Sequence, residues 1–273
     1  MQIDKLSKVY FSPTNTTQEI VEAIAKGLRI EDTERIDLTK VDTRKNFSLN
    51  LNSNNQLLII GVPVYEERIP DLVKEPLNNL RGEGQGVILI AVYGNIGEGI
   101  ALQELKNLVE KNGFNVVAAG SFIGEHSFSN SQLKIATGRP DEDDLKQAEQ
   151  FAIRITEKLL KIDNIEEISK LNIQGELPLM AKFLPKNSAK IFAKRPKVAK
   201  EKCNNCGICI KVCPVGAIDQ EELKINNEIC LRCFACAKKC PQEARNIKFK
   251  KELLVKFILR KKGAERKEVK IYL

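Results

Sequence analysis

Apolar runs and helical stripes alternate along the first 162 residues. Leu6–Phe11 reads as a strand and Asn15–Leu28 as a helix, with Ile20, Ile24 and Leu28 spaced four apart. Arg35–Leu38 is a short strand. Gln56–Val64, carrying Leu57, Leu58, Ile59, Ile60 and Val62, is the near-continuous apolar run of a strand covered on both faces. Leu72–Leu80 reads as a short helix, with Pro76 against its unity. Val87–Tyr93 is a fourth strand, Ile100–Lys111 a helix striped by Leu102, Leu105 and Leu108, and Asn115–Ile123 a fifth strand. Asp141–Lys161 is the longest helix, and its acidic start suits the helix dipole. Strands alternating with helices predict parallel βαβ units, hence an α/β domain with a doubly wound, five-stranded parallel sheet over residues 1–162.

The rhythm breaks at residues 163–200, which hold Gly175, Pro178, Pro185 and Pro196. Leu177, Leu179, Met180, Phe183 and Leu184 are too apolar for a free tether, so this segment reads as a partly packed linker. Residues 201–250 hold every cysteine. Residues 251–273 form a tail that is apolar and then basic.

The eight cysteines fall in two runs of the form C-x2-C-x2-C-x3-C-P. Cys203, Cys206, Cys209 and Cys213 precede Pro214; Cys230, Cys233, Cys236 and Cys240 precede Pro241. The second run repeats the first at a constant offset, 203 to 230 and 213 to 240, which predicts a two-fold related pair of sites. A cubane cluster needs four thiolates around it. Three closely spaced cysteines cap three irons, and in the two-cluster pattern the fourth comes from the other run. Cys203, Cys206, Cys209 and Cys240 are therefore expected to hold one [4Fe–4S] cluster, and Cys230, Cys233, Cys236 and Cys213 the other. Structural zinc takes two separated C-x2-C pairs, a different spacing. A domain of this size is too small to stand on its core alone, so the clusters would also staple it. This region resembles the bacterial two-cluster ferredoxins, which implies a small α+β domain.

Ser12-Pro13-Thr14-Asn15-Thr16-Thr17 follows the first strand and opens the first helix. Orphan N–H groups, the helix dipole and the hydroxyls of Ser12, Thr14, Thr16 and Thr17 suit a phosphate there. The simpler alternative is a helix N-cap. The N-terminal half resembles the flavodoxins, whose loop reads S-T-T-G-N-T. The resemblance implies a flavodoxin-like fold and bound FMN with its phosphate on Ser12, Thr14, Asn15, Thr16 and Thr17. Asn15 stands where the glycine falls, and Pro13 lacks an N–H. In flavodoxins the loops after the third and fourth strands enclose the flavin ring. Here they carry Pro63 and Tyr65, and Tyr93, Gly94 and Asn95, with Tyr65 and Tyr93 the candidate ring stackers. His126, the only histidine, follows the fifth strand on the same side.

The chain has 273 residues and a net charge of +8. Residues 1–162 carry 19 Lys and Arg against 23 Asp and Glu; the remainder carries 25 against 13. Two anionic clusters, adding about −4, would offset part of the basic excess, so nucleic acid is not the expected partner. The basic tail could rest on an anionic membrane surface, or pack on the cluster domain with a solvated end. No apolar run nears the length of a membrane span and no signal sequence is evident, so a cytoplasmic protein is expected, where thiols favour metal over disulfides. The chain resembles flavodoxin–ferredoxin fusion proteins, which implies electron transfer between the clusters and FMN for a separate redox partner protein. The alternatives are a flavin-dependent reductase of a small organic substrate, and a redox-sensing or binding module with an empty flavodoxin half. No catalytic triad or carboxylate pair is evident, so the cofactors would carry the chemistry.

Overall fold

The computed structural model describes residues 1–49, 51, 53–179 and 187–273. Its first half runs β1 (Lys5–Tyr10), α1 (Thr16–Leu28), β2 (Asp32–Asp37), α2 (Val41–Lys45), β3 (Gln56–Pro63), α3 (Asp71–Asn78), β4 (Gly86–Tyr93), α4 (Ala101–Lys111), β5 (Asn115–Ile123) and α5 (Glu142–Leu159). The sequence did not signal α2, which buries no side chain. α3 continues through Pro76.

The apolar runs form strands because both their faces are covered. On β3, Leu57 and Ile59 join the core beneath α1 and α5, while Leu58 and Ile60 join the core beneath α3 and α4. β4 is buried along its whole length. β1 to β5 are parallel, and the order β2-β1-β3-β4-β5 is the flavodoxin-like variant of the doubly wound fold, with its switch point between β1 and β3.

The sheet has six strands rather than the expected five. The sixth, β6 (Lys270–Tyr272), comes from the basic tail and lies antiparallel on β5. It covers an edge whose N–H and C=O groups would otherwise be open, and Val269, Ile271 and Leu273 pack against the α1/α5 core. The start of α5 anchors the returning chain. Asp141 and Asp144 form a capping box, Arg139 makes a buried ion pair with Asp144, and Arg266 donates to Asp141 Oδ2 at 2.8 Å. Arg139 Nη1 also donates to the carbonyl of Lys267 at 3.1 Å.

In the linker, Ile165 and Ile173 are buried against the two faces of the sheet. Met180, Phe183, Leu184 and Pro185 lie outside the described residues. The cysteine half contains α6 (Ala189–Phe192), α7 (Ile208–Lys211), α8 (Ala235–Lys238) and α9 (Glu252–Lys262). Bridges from Ala193 to Phe249 and from Val198 to Arg245 tie residues before 201 into it, so this half takes in part of the expected linker. Backbone pairing over so many positions of sequence separation left no local pattern to read.

α1 approaches β3 closely at Gly61, where a Cβ would stand 2.4 Å from Val21 Cγ2 and 3.2 Å from Thr17 Cγ2. That contact seats the N-terminus of α1 against the sheet. Gly61→Val must push the helix away. The expected cost is about 1–3 kcal/mol, read from urea unfolding; an unchanged midpoint would show that the helix is not held at this point.

Candidate functional site: two cysteine cavities and a loop crevice

The two cysteine runs fold alike. Gly207 and Phe234, which correspond in the repeat, both take positive φ (71° and 59°) just before α7 and α8. Ala217 N donates to Cys213 Sγ at 3.2 Å, and Ala244 N to Cys240 Sγ at 3.3 Å. One cavity is lined by Cys203, Cys206, Cys209 and Cys240, the other by Cys213, Cys230, Cys233 and Cys236. Each thus joins three cysteines of one run to the last cysteine of the other.

The lining suits an anionic cluster. Arg245 borders the first cavity and Arg232 the second. Both are buried, and in each Nη1 has no partner among the described residues. A buried unpaired guanidinium is costly, and an anion in the cavity would compensate it. Burial pushes the Cys236 thiol up to about 12 and Cys233 higher still. Such thiols ionise only when a metal supplies the countercharge. Among the described residues no three His, Cys, Asp or Glu side chains are placed to hold a single metal ion; the thiols ring a space instead. Reading the sequence missed both arginines. Their signal was a cation inside or just after the cysteine motif: Arg232 lies between Cys230 and Cys233, and Arg245 five residues after Cys240.

The cysteine half docks on the edge of the sheet where the parallel strands β1 to β5 hand over to their following loops. Lys239 Nζ donates to Asn15 Oδ1 at 2.6 Å, and Arg44 Nη2 to the carbonyl of Pro214 at 2.6 Å. Ala189 N donates to Glu66 Oε1 at 3.3 Å, and Lys238 pairs with Glu125. A shared apolar core backs these contacts. Phe128 of the loop after β5 packs with Phe234 and Phe249, at ring-centroid distances of 5.4 and 5.5 Å.

The phosphate loop lies at this junction. Asn15 takes φ 73°, the conformation glycine would otherwise supply. Ser12 serves as the cap, its Oγ accepting from Gln18 N at 3.0 Å, while its own N–H donates to Thr39 Oγ1 at 2.7 Å. Among the described residues the first-turn N–H groups of Thr16 and Thr17 have no backbone acceptor. Thr17 is 1% exposed, yet its Oγ1 has no partner among the described residues. Thr14 is half-buried beside them. These unmet donors, together with Lys239, fit the phosphate of FMN.

The expected ring-binding residues divide. Pro63 ends β3, and Tyr65 lies at the junction, its ring 6.4 Å from Phe11 and its hydroxyl pushed up by burial and by Cys233. Tyr93, Gly94 and Asn95 make other contacts. Tyr93 is buried, and its hydroxyl, raised to about 12 by burial, has Glu98, Arg139 and Glu268 as its charged neighbours. Gly94 lies beneath His126, where a Cβ would meet the ring at 2.6 Å. Asn95 spends its amide on the returning tail, donating to the carbonyls of Gly263 and Glu265 at 3.1 and 2.8 Å and accepting from Lys267 N at 3.2 Å. A sequence that placed the tail apart from the sheet could not show this competition. His126 is half-buried, accepts from Phe128 N at Nδ1 (3.0 Å), and is held down to about 4 by desolvation and Lys238. It therefore stands neutral at pH 7.

Two outcomes are expected. Cys203→Ala/Cys240→Ala retains about four irons per chain, because both positions border one cavity, whereas Cys230→Ala/Cys240→Ala loses nearly all eight; the reverse pattern would mean that each run holds its own cluster. Because His126 titrates lower folded than unfolded, its contribution is complete above about pH 6.5 and is lost as pH falls toward 4. Thermal unfolding of His126→Asn should show a shallower loss of stability than the parent between pH 6.5 and 5.

Residues 189–247 match the family described as "4Fe-4S dicluster domain". No curated protein sequence matches the chain. Among solved structures, the Streptococcus pneumonia TIGR4 flavodoxin is 18% identical, covering 56% of this chain and 99% of its own, with a TM-score of 0.40. Flavodoxin 1 of Bacillus cereus is 16% identical over 61% of this chain and 100% of its own, with a TM-score of 0.41. A WrbA-like flavodoxin from Agrobacterium tumefaciens is 17% identical over 58% and 98%, also with a TM-score of 0.41. The strand order, not these distant likenesses, defines the first half. The chain therefore joins an α/β half of flavodoxin-like topology to a 4Fe–4S dicluster domain spanning residues 189–247.

Proposed function

We propose that this protein is an electron-transfer iron–sulfur flavoprotein, relaying electrons between two [4Fe–4S] clusters and FMN on behalf of a separate redox partner. One observation carries the reading. Lys239, which directly precedes the cluster ligand Cys240 and has Cys233 among its charged neighbours, reaches into the phosphate loop. A cofactor bound in that loop would lie beside the cavity of Cys213, Cys230, Cys233 and Cys236.

When bound, the clusters supply one-electron steps and FMN accepts one electron or two. The chain's own residues do the rest. Arg232 and Arg245 bring positive charge to the buried cavities, and the N–H donors on Cys213 and Cys240 stabilise their thiolates. Thr16, Thr17 and Lys239 present donors and charge to a phosphate. Phe128, Phe234 and Phe249 fix one half against the other, so the centres need no diffusional encounter.

A carrier is favoured over a substrate-reducing enzyme. Ile100 N donates to Glu67 O at 2.9 Å, so the loops after β3 and β4 are bonded to each other. That bond ties together two loops that would have to part for a substrate to reach the ring.

Anaerobic purification should give about eight irons and one FMN per chain. Iron without flavin, even after incubation with FMN, would defeat the relay. Lys239→Gln should weaken FMN binding by roughly tenfold or more, the worth of a charge-assisted hydrogen bond, while riboflavin binding stays unchanged. Flavin fluorescence titration reads both; equal losses for the two ligands would remove Lys239 from the phosphate site.

A further inference from the structure

α9 is apolar on two opposite faces. Its inner face carries Val255 and Leu259 onto the core of Phe128, Leu133, Ile135 and Phe249. Lys256 and Arg260 fasten it at the edge, donating to Gln132 Oε1 and to the carbonyl of Gln132 at 2.8 and 2.9 Å. Among the described residues the outer face has no such partner. Leu253 is 87% exposed, Leu254 53%, Phe257 66% and Ile258 40%, and at helical spacing these four form one stripe. Side chains of this size are seldom left together in water without a purpose.

We propose that this outer face docks on an anionic lipid surface. Charge selects the occupant. Residues 248–262 carry seven Lys and Arg against one Glu. That Glu252 is already paired with Lys256 at 2.6 Å, so it does not oppose an anionic surface. Lys250 and Lys251 stand at one end of the stripe, Lys261 and Lys262 at the other. Between Leu253 and Lys261 the outer face holds no hydroxyl, amide or carboxylate. A protein partner generally matches apolar contacts with hydrogen bonds; a bilayer surface needs only apolar side chains below the headgroups and cations level with them. None of the helices among the described residues is long and apolar enough to cross a membrane, and the proposed contact is peripheral. It does not depend on whether FMN binds.

The test uses the full chain with its clusters loaded and sedimented vesicles of phosphatidylcholine, with or without phosphatidylglycerol. Binding is expected only with phosphatidylglycerol present, and it should fall as salt is raised. Leu253→Ser/Phe257→Ser should cut the partition coefficient by about tenfold or more, because it removes the apolar anchor. Replacing Lys250, Lys251, Lys261 and Lys262 by Gln should cut it by at least a similar factor, because each cation near the surface contributes. Unchanged iron content in both variants would establish that the fold survives, and all these side chains point into solvent. Failure of the parent to sediment, equal sedimentation with phosphatidylcholine alone, or full binding by both variants would overturn the proposal. So would self-association of the parent that disappears in Leu253→Ser/Phe257→Ser without vesicle binding, which would assign the face to a second copy of the chain.

Discussion

The packing of Phe128 against Phe234 and Phe249 is the joint on which the arrangement depends. Phe234 sits at a positive φ that costs an aromatic residue about 1–2 kcal/mol, at the position where the first run uses Gly207. Its burial between the halves offsets that cost, since a fully buried Phe contributes about 1.5–3 kcal/mol. The repeat is therefore symmetric in backbone but not in side chain, and the asymmetry faces the sheet. Because of it, the second cysteine cavity lies nearer the loop crevice.

Charge placement follows from that joint. Parallel strands deliver all their following loops to one edge, which is where α/β folds bind ligands. The cysteine half occupies this edge and brings Lys238, Lys239 and Arg232 with it. The acidic first half and basic second half meet through Lys238–Glu125 and through Lys239 on Asn15. Arg245 and Arg232 border the two cysteine cavities, and a further group of cations lies along α9.

The returning tail reshapes the crevice. β6 closes the edge of β5, and the segment leading to it takes the amide of Asn95. Tyr93 has Glu268 of that segment among its charged neighbours, and Gly94 lies beneath His126. What is left at the crevice is the phosphate loop, Tyr65 and Lys239, an arrangement that favours anion binding and contact with the neighbouring cavity.

The sequence by itself determined what short-range chemistry dictates. The spacing of Cys203 to Cys213 and Cys230 to Cys240 defined a two-cluster motif, the apolar runs of β3 and β4 defined a sheet covered on both faces, and Ser12 to Thr17 marked a helix start rich in donors. Each of these is a local pattern, set by how far apart thiolates, strand faces or helix N–H groups stand. Only the tertiary structure decided the contacts between residues distant in the chain. It recruited Lys239 to the phosphate loop, set the side-chain amide of Asn95 on the returning tail, and added a sixth strand. It also left the outer face of α9 in solvent. These outcomes depend on which surfaces meet once the two halves dock, and no periodicity or spacing along one segment carries that information.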